Sequence, residues 1–240
     1  MISGNIDSWI NSNKDFIINL RRWLHKNPEL GFEEFSTSEH IIKILSSKGY
    51  EVVQNSKMST GFYCDYNSGA DMLALRTDMD ALEIHEDNPG IDYQSLNSGV
   101  MHACGHDVHM SIVAAVALYL KESDSFDGRV RFIFQPAEEQ APGGALSMIE
   151  GGCLEGVSNI IGCHVYPKIN AGRIAVKSGP IAATVELIDI KLKGMGGHTS
   201  RPNESVDLVW AQSQLVNSLE QSINHGIDQQ EPVVLAFGKV

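Results

Sequence analysis

The sequence predicts an α/β protein with a mostly parallel mixed sheet flanked by helices, followed by part of a smaller α+β domain. Two observations support this prediction. Helical and strand-like segments alternate after residue 99, which is typical of a parallel sheet covered by helices. The 240 residues, 42% of them hydrophobic, suffice for one large α/β domain, alone or with a smaller one.

Two helices and three short strands are predicted before residue 99. Apolar residues recur at helical spacing from Asp7 to about Lys26, and Asn27-Pro28 ends that helix. A second helix is predicted over Ser36–Ser47, before Gly49. The predicted strands are EVV from Glu51, GFYCDY from Gly61 and MLALR from Met72, and a loop rich in Asp, Asn, Pro and Gly follows.

Four alternating elements follow the loop. They are a helix through SIVAAVALYL from Ser111, a strand RVRFIF from Arg129, a helix GGALSMIE from Gly143 and a strand NIIGCHV from Asn159. Helical connections of this kind join parallel strands, so this half of the sheet is expected to be parallel.

A domain boundary is predicted near Gly179-Pro180, which divides the chain into residues 1–180 and 181–240. The second part reads as a strand (TVELIDIKLKG), a loop (MGGHTSRPNE), an amphipathic helix from Ser205 to about Ile223 and a strand (PVVLAFGKV). Two strands and one helix are a poor independent core. We therefore expect either a fragment of a longer protein or a strand edge that pairs with another surface.

Charge and hydropathy exclude several classes of partner. The net charge is −12 and the 18 Lys and Arg residues are scattered, so no nucleic-acid partner is expected. No signal peptide and no bilayer-spanning apolar run is recognisable, which favours a cytoplasmic protein without a membrane partner. The four cysteines, Cys64, Cys104, Cys153 and Cys163, are then expected to be reduced thiols.

Metal-binding and acid–base side chains form four groups, three of which directly follow a predicted strand. Asp78 and Asp80 follow MLALR, Glu138 and Glu139 follow RVRFIF, and His164 lies at the end of NIIGCHV. Side chains at the carboxyl ends of strands in an open α/β sheet converge on one crevice. One of two adjacent glutamates can bind a metal ion while the other acts as a general base.

The fourth group is the segment MHACGHDVHM, which begins at Met101 and precedes a buried helix. It contains a thiol, three imidazoles and a carboxylate, namely Cys104, His102, His106, His109 and Asp107. Thiolate, imidazole and carboxylate are the ligands that borderline divalent metals select. A polar helix start capped by Asp107 would explain only one of these residues. Together the four groups predict a two-metal hydrolase.

Two alternatives remain open. Cys104 could be the nucleophile of a metal-free amidase, activated by His106 or His109, although this spacing is unfavourable and leaves the paired glutamates unused. The chain could also be a non-catalytic fragment that binds metal or dimerises. The other histidines, His25, His40, His85 and His225, are expected at the surface or in packing.

Seven segments together resemble the metal-dependent aminoacylase and carboxypeptidase family, in its hippurate hydrolase-like branch of N-acyl amino acid amidohydrolases. They are RRWLHKNPELGFEE, LRTDMDALEI, MHACGHDVHM, FQPAEE, GGALSMIEGG, GCHVYP and KGMGGHTSRPN, in the family's order. The resemblance implies hydrolysis of an N-acyl amino acid or small peptide-like amide. It also implies two divalent metal ions (Mn, Zn, Co or Ni) and a homodimer formed through a lid domain.

The resemblance also assigns roles to individual residues. It implies that Cys104, His106, Glu139 and His164 bind the metal ions, and that Glu138 is the general acid/base. Asp80 matches the supporting acidic residue, and His198 matches a lid histidine that reaches into an active site. The family's chain returns from the lid to complete the catalytic sheet. No such segment occurs before Val240, so residues 1–180 are expected to be an incomplete catalytic domain.

Overall fold

The computed structural model describes residues 6–123, 126–181, 186–228 and 233–238. The chain forms two compact units, Met1–Ser178 and Gly179–Val240. None of the helices among these described residues is both long and apolar enough to cross a membrane.

The first unit contains four helices and five strands within its described residues. In chain order they are α1 (Ile6–Lys26), α2 (Phe35–Ser47), β1 (Val52–Val53), β2 (Phe62–Tyr66), β3 (Met72–Asp78), α3 (His106–Ser123), β4 (Val130–Gln135), α4 (Gly144–Glu150) and β5 (Val157–Gly162). Each predicted element of this unit is present. Most of the bounds differ from prediction by only one or two residues.

The five strands form one mixed sheet in the order β1-β2-β4-β3-β5. Strand β3 pairs in parallel with both β4 and β5, whereas β2 pairs antiparallel with β4 and with β1. The parallel half contains the alternating segments, which confirms the predicted fold class. All carboxyl ends of its three strands therefore lie at one edge of the sheet.

Strand β4 lies inside the sheet, and all six of its residues are buried. Its side chains alternate between two apolar clusters, as the pleat requires. Phe132 and Phe134 pack with Leu24 of α1 and Ile41 of α2. Ile133 packs on the other face with Met148 of α4. The sheet is thus covered by helices on both faces.

Two bounds differ from the prediction in a way that matters for the site. Strand β3 includes Asp78, which therefore ends the strand rather than following it. Helix α3 begins at His106, ahead of the predicted start at Ser111. Apolar periodicity located only the apolar part of this helix, because three of its first four residues, His106, Asp107 and His109, are polar and are buried by long-range contacts.

The second unit contains a short 3₁₀ helix, Pro202–Glu204, and helix α5, Leu208–Gly226. Asp207 caps α5 by accepting the Trp210 backbone N–H at 2.9 Å. The two predicted strands are wrong for their described residues, 186–194 and 233–238, which are not in strands; their other residues lie outside the described ranges. A strand forms only where a neighbour completes its hydrogen bonds, and apolar sequence alone does not supply one.

Candidate metal centre

The candidate site residues of the first unit come from the carboxyl-terminal edge of the sheet and the start of α3. Asp78 ends β3, Glu138 and Glu139 follow β4, and His164 follows β5, while His106 is the first residue of α3. The parallel pairing of β3 with β4 and β5 brings these positions to the same edge.

Three groups of potential metal ligands meet at His106. Ligand atoms of Cys104, His106 and His164 all lie within 4.8 Å of one another. The same holds for His106, Glu138 and Glu139, and for Asp78, His106 and His109. Cys104 Sγ is 3.2 Å from His164 Nε2, and His106 Nε2 is 3.7 Å from Glu139 Oε1.

The side chain of His106 is 1% exposed, and its Nδ1 faces Asp80. Its Nε2 has no hydrogen-bond partner among the described residues. A buried polar atom without a partner costs free energy unless something else binds it. A divalent cation would bind such a nitrogen, and a sulfur, two imidazoles and carboxylates suit a borderline metal. The residues present therefore fit a metal ion.

The backbone contact of His164 determines which of its ring nitrogens carries the proton. Its Nδ1 lies 2.7 Å from the carbonyl oxygen of Val165, so this nitrogen carries the proton and donates it. The lone pair is left on Nε2, the atom that faces Cys104. This is the tautomer that binds metal, held by a backbone acceptor as metal-binding histidines usually are.

His109 uses both ring nitrogens within the protein. Its Nε2 accepts the Val165 backbone N–H at 2.9 Å, so Nδ1 carries the proton and donates to Asp78 Oδ1 at 2.8 Å. Asp78 also accepts from Arg76 Nη1 at 2.7 Å. Burial opposes ionisation of Asp78, but the His109 hydrogen bond and the charges of His106 and Arg76 lower its pKa to about 2. His109 thus braces the His164 loop.

Asp80 links His106 to the loop that carries the two glutamates. It is 1% exposed, and its Oδ1 lies 3.3 Å from His106 Nδ1 while Oδ2 accepts the Glu139 backbone N–H at 2.9 Å. Burial opposes ionisation, but His106 and the backbone amides of Glu139 and Glu138 lower the pKa of Asp80. Asp80 therefore stays an anion that holds two site segments together.

The surroundings of Glu138 favour the protonated form of its carboxyl group. Burial and the neighbouring charge of Glu139 raise the pKa of Glu138. A carboxylate with a raised pKa is a better proton acceptor than an ordinary glutamate. Glu138 can therefore take up and return a proton close to the potential metal ligands.

Burial and the nearby Glu139 and Glu138 carboxylates raise the pKa of the Cys104 thiol to about 12. A nucleophilic cysteine needs a low pKa, because the thiolate is the reactive form. The surroundings of Cys104 oppose that form unless a cation offsets the carboxylates. This observation disfavours the metal-free amidase.

His198 belongs to the second unit and is exposed. Its Nδ1 accepts the Ser200 backbone N–H at 3.2 Å. Its predicted contribution to an active site stays a prediction.

His25 is a buried residue and not a surface one, and its two carboxylate partners were not predicted. Its Nδ1 lies 2.8 Å from Asp107 Oδ2 and its Nε2 lies 2.9 Å from Glu86 Oε1. Burial opposes protonation, but the Asp107 contact outweighs it and, with Glu86, raises the pKa of His25. The one signal in the sequence was that His25 lies in RRWLHKNPELGFEE, a segment of the family resemblance.

Comparison with known proteins agrees with this fold. The sequence profile of Peptidase family M20/M25/M40 matches residues 74–238, and the chain belongs to this family. It is 38% identical over 227 residues to N-acetyl-L-cysteine deacetylase of Bacillus subtilis, covering 93% of this chain and 54% of that protein. It is 36% identical over 225 residues to N-acyl-L-amino acid amidohydrolase of Geobacillus stearothermophilus, covering 93% of this chain and 60% of that one.

Solved structures agree with the assignment. A protein of methicillin-resistant Staphylococcus aureus superposes with a TM-score of 0.76 at 34% identity, over 96% of this chain and 59% of that chain. The YXEP protein of Bacillus subtilis, described as a dinuclear metal-binding peptidase of the M20 family, gives 0.66 at 39% identity over 71% of this chain and 48% of that one. The chain thus spans a little over half the length of the curated relatives above.

Proposed function

We propose that the protein is a metal-dependent hydrolase that cleaves the amide bond of N-acyl amino acids or small peptide-like substrates. Cys104, His106, Glu139 and His164 would hold two divalent cations. The supporting observation is His106, a buried imidazole whose Nε2 has no hydrogen-bond partner among the described residues and which is surrounded by the other three side chains. Two similar proteins are named as enzymes that act on N-acyl amino acids.

Bound divalent cations polarise an amide carbonyl and lower the pKa of water. Glu138 is the proposed acid/base: its carboxylate accepts the proton of the attacking water and later returns it to the leaving nitrogen. The amine needs this proton because it is a poor leaving group as an anion. The raised pKa of Glu138 suits both steps. Asp80 orients His106 and Glu139, and His198 would stabilise the developing oxyanion.

The proposal for the whole protein includes a catalytic region over residues 1–180 and part of a dimerising lid over 181–240. Apolar side chains on α5 support the second part, since Val209 is 79% and Trp210 63% exposed in the described unit. Sedimentation analysis of the protein at the full length its gene encodes tests the homodimer. Fractionation of the source cells tests the proposed cytoplasmic location.

A hydrolysis assay on N-acetyl and N-benzoyl amino acids, with Mn²⁺, Zn²⁺, Co²⁺ or Ni²⁺ added, tests the activity. Glu138→Gln should keep its metal content and lose roughly 10²- to 10⁴-fold in kcat, the usual contribution of a general acid/base. Glu150→Gln, an exposed carboxylate at the end of α4, is the control and should leave kcat unchanged.

One result would contradict the role of Glu138, and two others would favour the rival functions. A normal rate in Glu138→Gln would remove Glu138 from this role. Activity that survives complete metal removal would favour the Cys104 amidase. No turnover by the full-length protein with any of the four metals would favour a non-catalytic metal-binding or dimerising protein.

A further inference from the structure

Glu34 is a fully buried carboxylate for which the proposed mechanism has no use. It is 0% exposed and occupies the N-cap position of α2, but its side chain does not cap that helix. Glu29 does so instead, by accepting the backbone N–H groups of Ser36 at 3.0 Å and Thr37 at 2.8 Å. Helix capping therefore does not account for the burial of the Glu34 carboxylate.

The Glu34 carboxylate contacts the loop that carries the catalytic glutamate. Its Oε1 accepts the Ala137 backbone N–H at 2.8 Å, and its Oε2 accepts the hydroxyl of Thr60, which is itself buried. Burial raises the pKa of Glu34, and these two donors oppose the effect. A carboxylate held in this way fixes the peptide group to which it is bonded.

Ala137 adopts a backbone conformation that alanine rarely takes. Its φ is +47°, in the left-handed region, and its side chain is fully buried. Its carbonyl oxygen accepts the Gly144 backbone N–H at 2.9 Å, so both polar groups of Ala137 are bonded. A strained residue persists only where its surroundings hold it. Because Glu138 comes next, this conformation sets the direction in which Glu138 projects.

The other side of Glu138 is held in a similar manner. Asp80 is 1% exposed and accepts the Glu139 backbone N–H at 2.9 Å. Glu138 therefore lies between two peptide groups, each bonded to a buried carboxylate. Asp80 belongs to the metal centre, whereas Glu34 contacts the loop from the N-cap position of α2.

We infer that Glu34 is a positioning residue for Glu138, which it orients by holding Ala137 in the left-handed conformation. The inference rests on the proposed acid/base role of Glu138. Without the carboxylate, the buried Ala137 N–H and the Thr60 hydroxyl lose their partner. Ala137 then relaxes toward negative φ and turns Glu138 away from the substrate.

Kinetics of the full-length metal-loaded enzyme test the inference. Glu34→Ala should lower kcat on the order of 100-fold with little change in KM, since a displacement of about 1 Å in a reacting group has that effect. Glu34→Gln keeps an oxygen for the Ala137 N–H and should restore most of the rate. Thr60→Val, which is close to Thr in shape and removes one donor, should cause a smaller loss than Glu34→Ala.

The matched control is Glu29→Ala, because Glu29 also accepts two backbone amides in this part of the chain. Its amides belong to α2 and not to the glutamate loop. The change should therefore lower Tm and leave kcat unchanged. A loss of kcat that merely followed stability would affect both variants alike.

Two further measurements test whether Glu34 acts on Glu138 through the conformation of Ala137. Glycine adopts positive φ without a steric penalty, so Glu34→Ala should reduce kcat much less in an Ala137→Gly background. Hydrogen exchange should become faster at the Ala137 amide in Glu34→Ala and not in Glu29→Ala. This second readout does not depend on turnover.

An unchanged kcat in Glu34→Ala, equal losses in the Ala and Gln variants, or an undiminished loss in the glycine background would each overturn the role of Glu34. These outcomes differ from those expected if the proposed function itself is wrong. If it is wrong, Glu138→Gln turns over normally, or the wild-type enzyme does not turn over at all.

Discussion

The backbone of one residue, Val165, connects His109 with His164. His109 accepts its N–H, and His164 donates to its carbonyl oxygen. His109 is in turn held by Asp78, so the orientation of His164 Nε2 depends on a chain of contacts that begins on β3. This dependence leads to a prediction about metal affinity.

His109→Ala should weaken metal binding about 10- to 100-fold, the usual effect of removing a residue that orients a ligand. The physical reason is that the Val165 amide loses its acceptor, and His164 then loses its fixed position. Competition with a chromophoric chelator measures the affinity. His85→Ala, an exposed histidine of the first unit, is the control. Equal affinities in both variants would argue against the bracing role.

Cys104→Ser should lower the number of metal ions bound per chain. A serine hydroxyl is a poorer ligand for a borderline metal than a thiolate. Elemental analysis after dialysis measures the stoichiometry, with Cys64→Ser as a cysteine control in the core. Unchanged metal content would move the ligand to another residue.

At the scale of elements, His25 joins three segments through buried charges. Helix α1 contributes His25 and Arg21, the loop after β3 contributes Glu86, and the first turn of α3 contributes Asp107. Asp107 directly follows His106, so the network lies against the metal centre. The pKa of His25 is raised and the pKa values of Asp107 and Glu86 are lowered, because the charged forms of these side chains stabilise one another.

This cluster predicts a pH dependence of stability. A histidine with a raised pKa stabilises the fold below its ordinary value of 6.5, and the stabilisation is lost as the pH rises through the folded-state pKa. The lowered pKa values of Glu86 and Asp107 act in the opposite direction. Their contribution is present above their ordinary values of 4.5 and 3.8, and is lost on acidification. The cluster should stabilise most at mildly acidic pH.

Urea denaturation of His25→Gln and wild type across this pH range measures the effect. The wild-type free energy of unfolding should fall more steeply above about pH 6.5 than that of the variant, because the variant has no proton to lose there. His85→Gln should retain the wild-type slope. Parallel curves for His25→Gln and wild type would contradict the assignment.

At the scale of the whole molecule, the metal centre joins elements that are far apart in sequence. Its candidate ligands come from the start of α3 and from the segments after β4 and β5. A cation bound there favours only the state in which these segments meet. Metal binding should therefore stabilise the first unit as a whole.

A metal concentration of 100 times Kd should stabilise the folded protein by about 2.7 kcal/mol. Thermal unfolding with and without a chelator measures the shift in Tm. The shift should be smaller in Cys104→Ser, which lacks one ligand, and full in Cys64→Ser. The same shift in both variants would mean that the cations bind elsewhere.

Much of the first unit was predictable because its signals are local. Helical spacing located α1 and α2, and alternating helices and strands indicated the parallel half of the sheet. Strand ends and the MHACGHDVHM segment identified Cys104 and His106 as candidates. The predicted strands of the second unit failed, because strand pairing depends on a neighbour that local sequence does not reveal.

Sequence by itself determined the element types of the first unit, the α/β class and the kinds of side chain available for metal chemistry. Only the tertiary structure decided the strand order, in which β4 lies between β2 and β3, and the partners of the buried charges. Glu34 meets Ala137 across 103 residues, and His25 meets Asp107 across 82. The periodicity of apolar residues reports on a few turns of one helix or on one strand. These contacts, in contrast, exist only once the sheet and the helices have packed together.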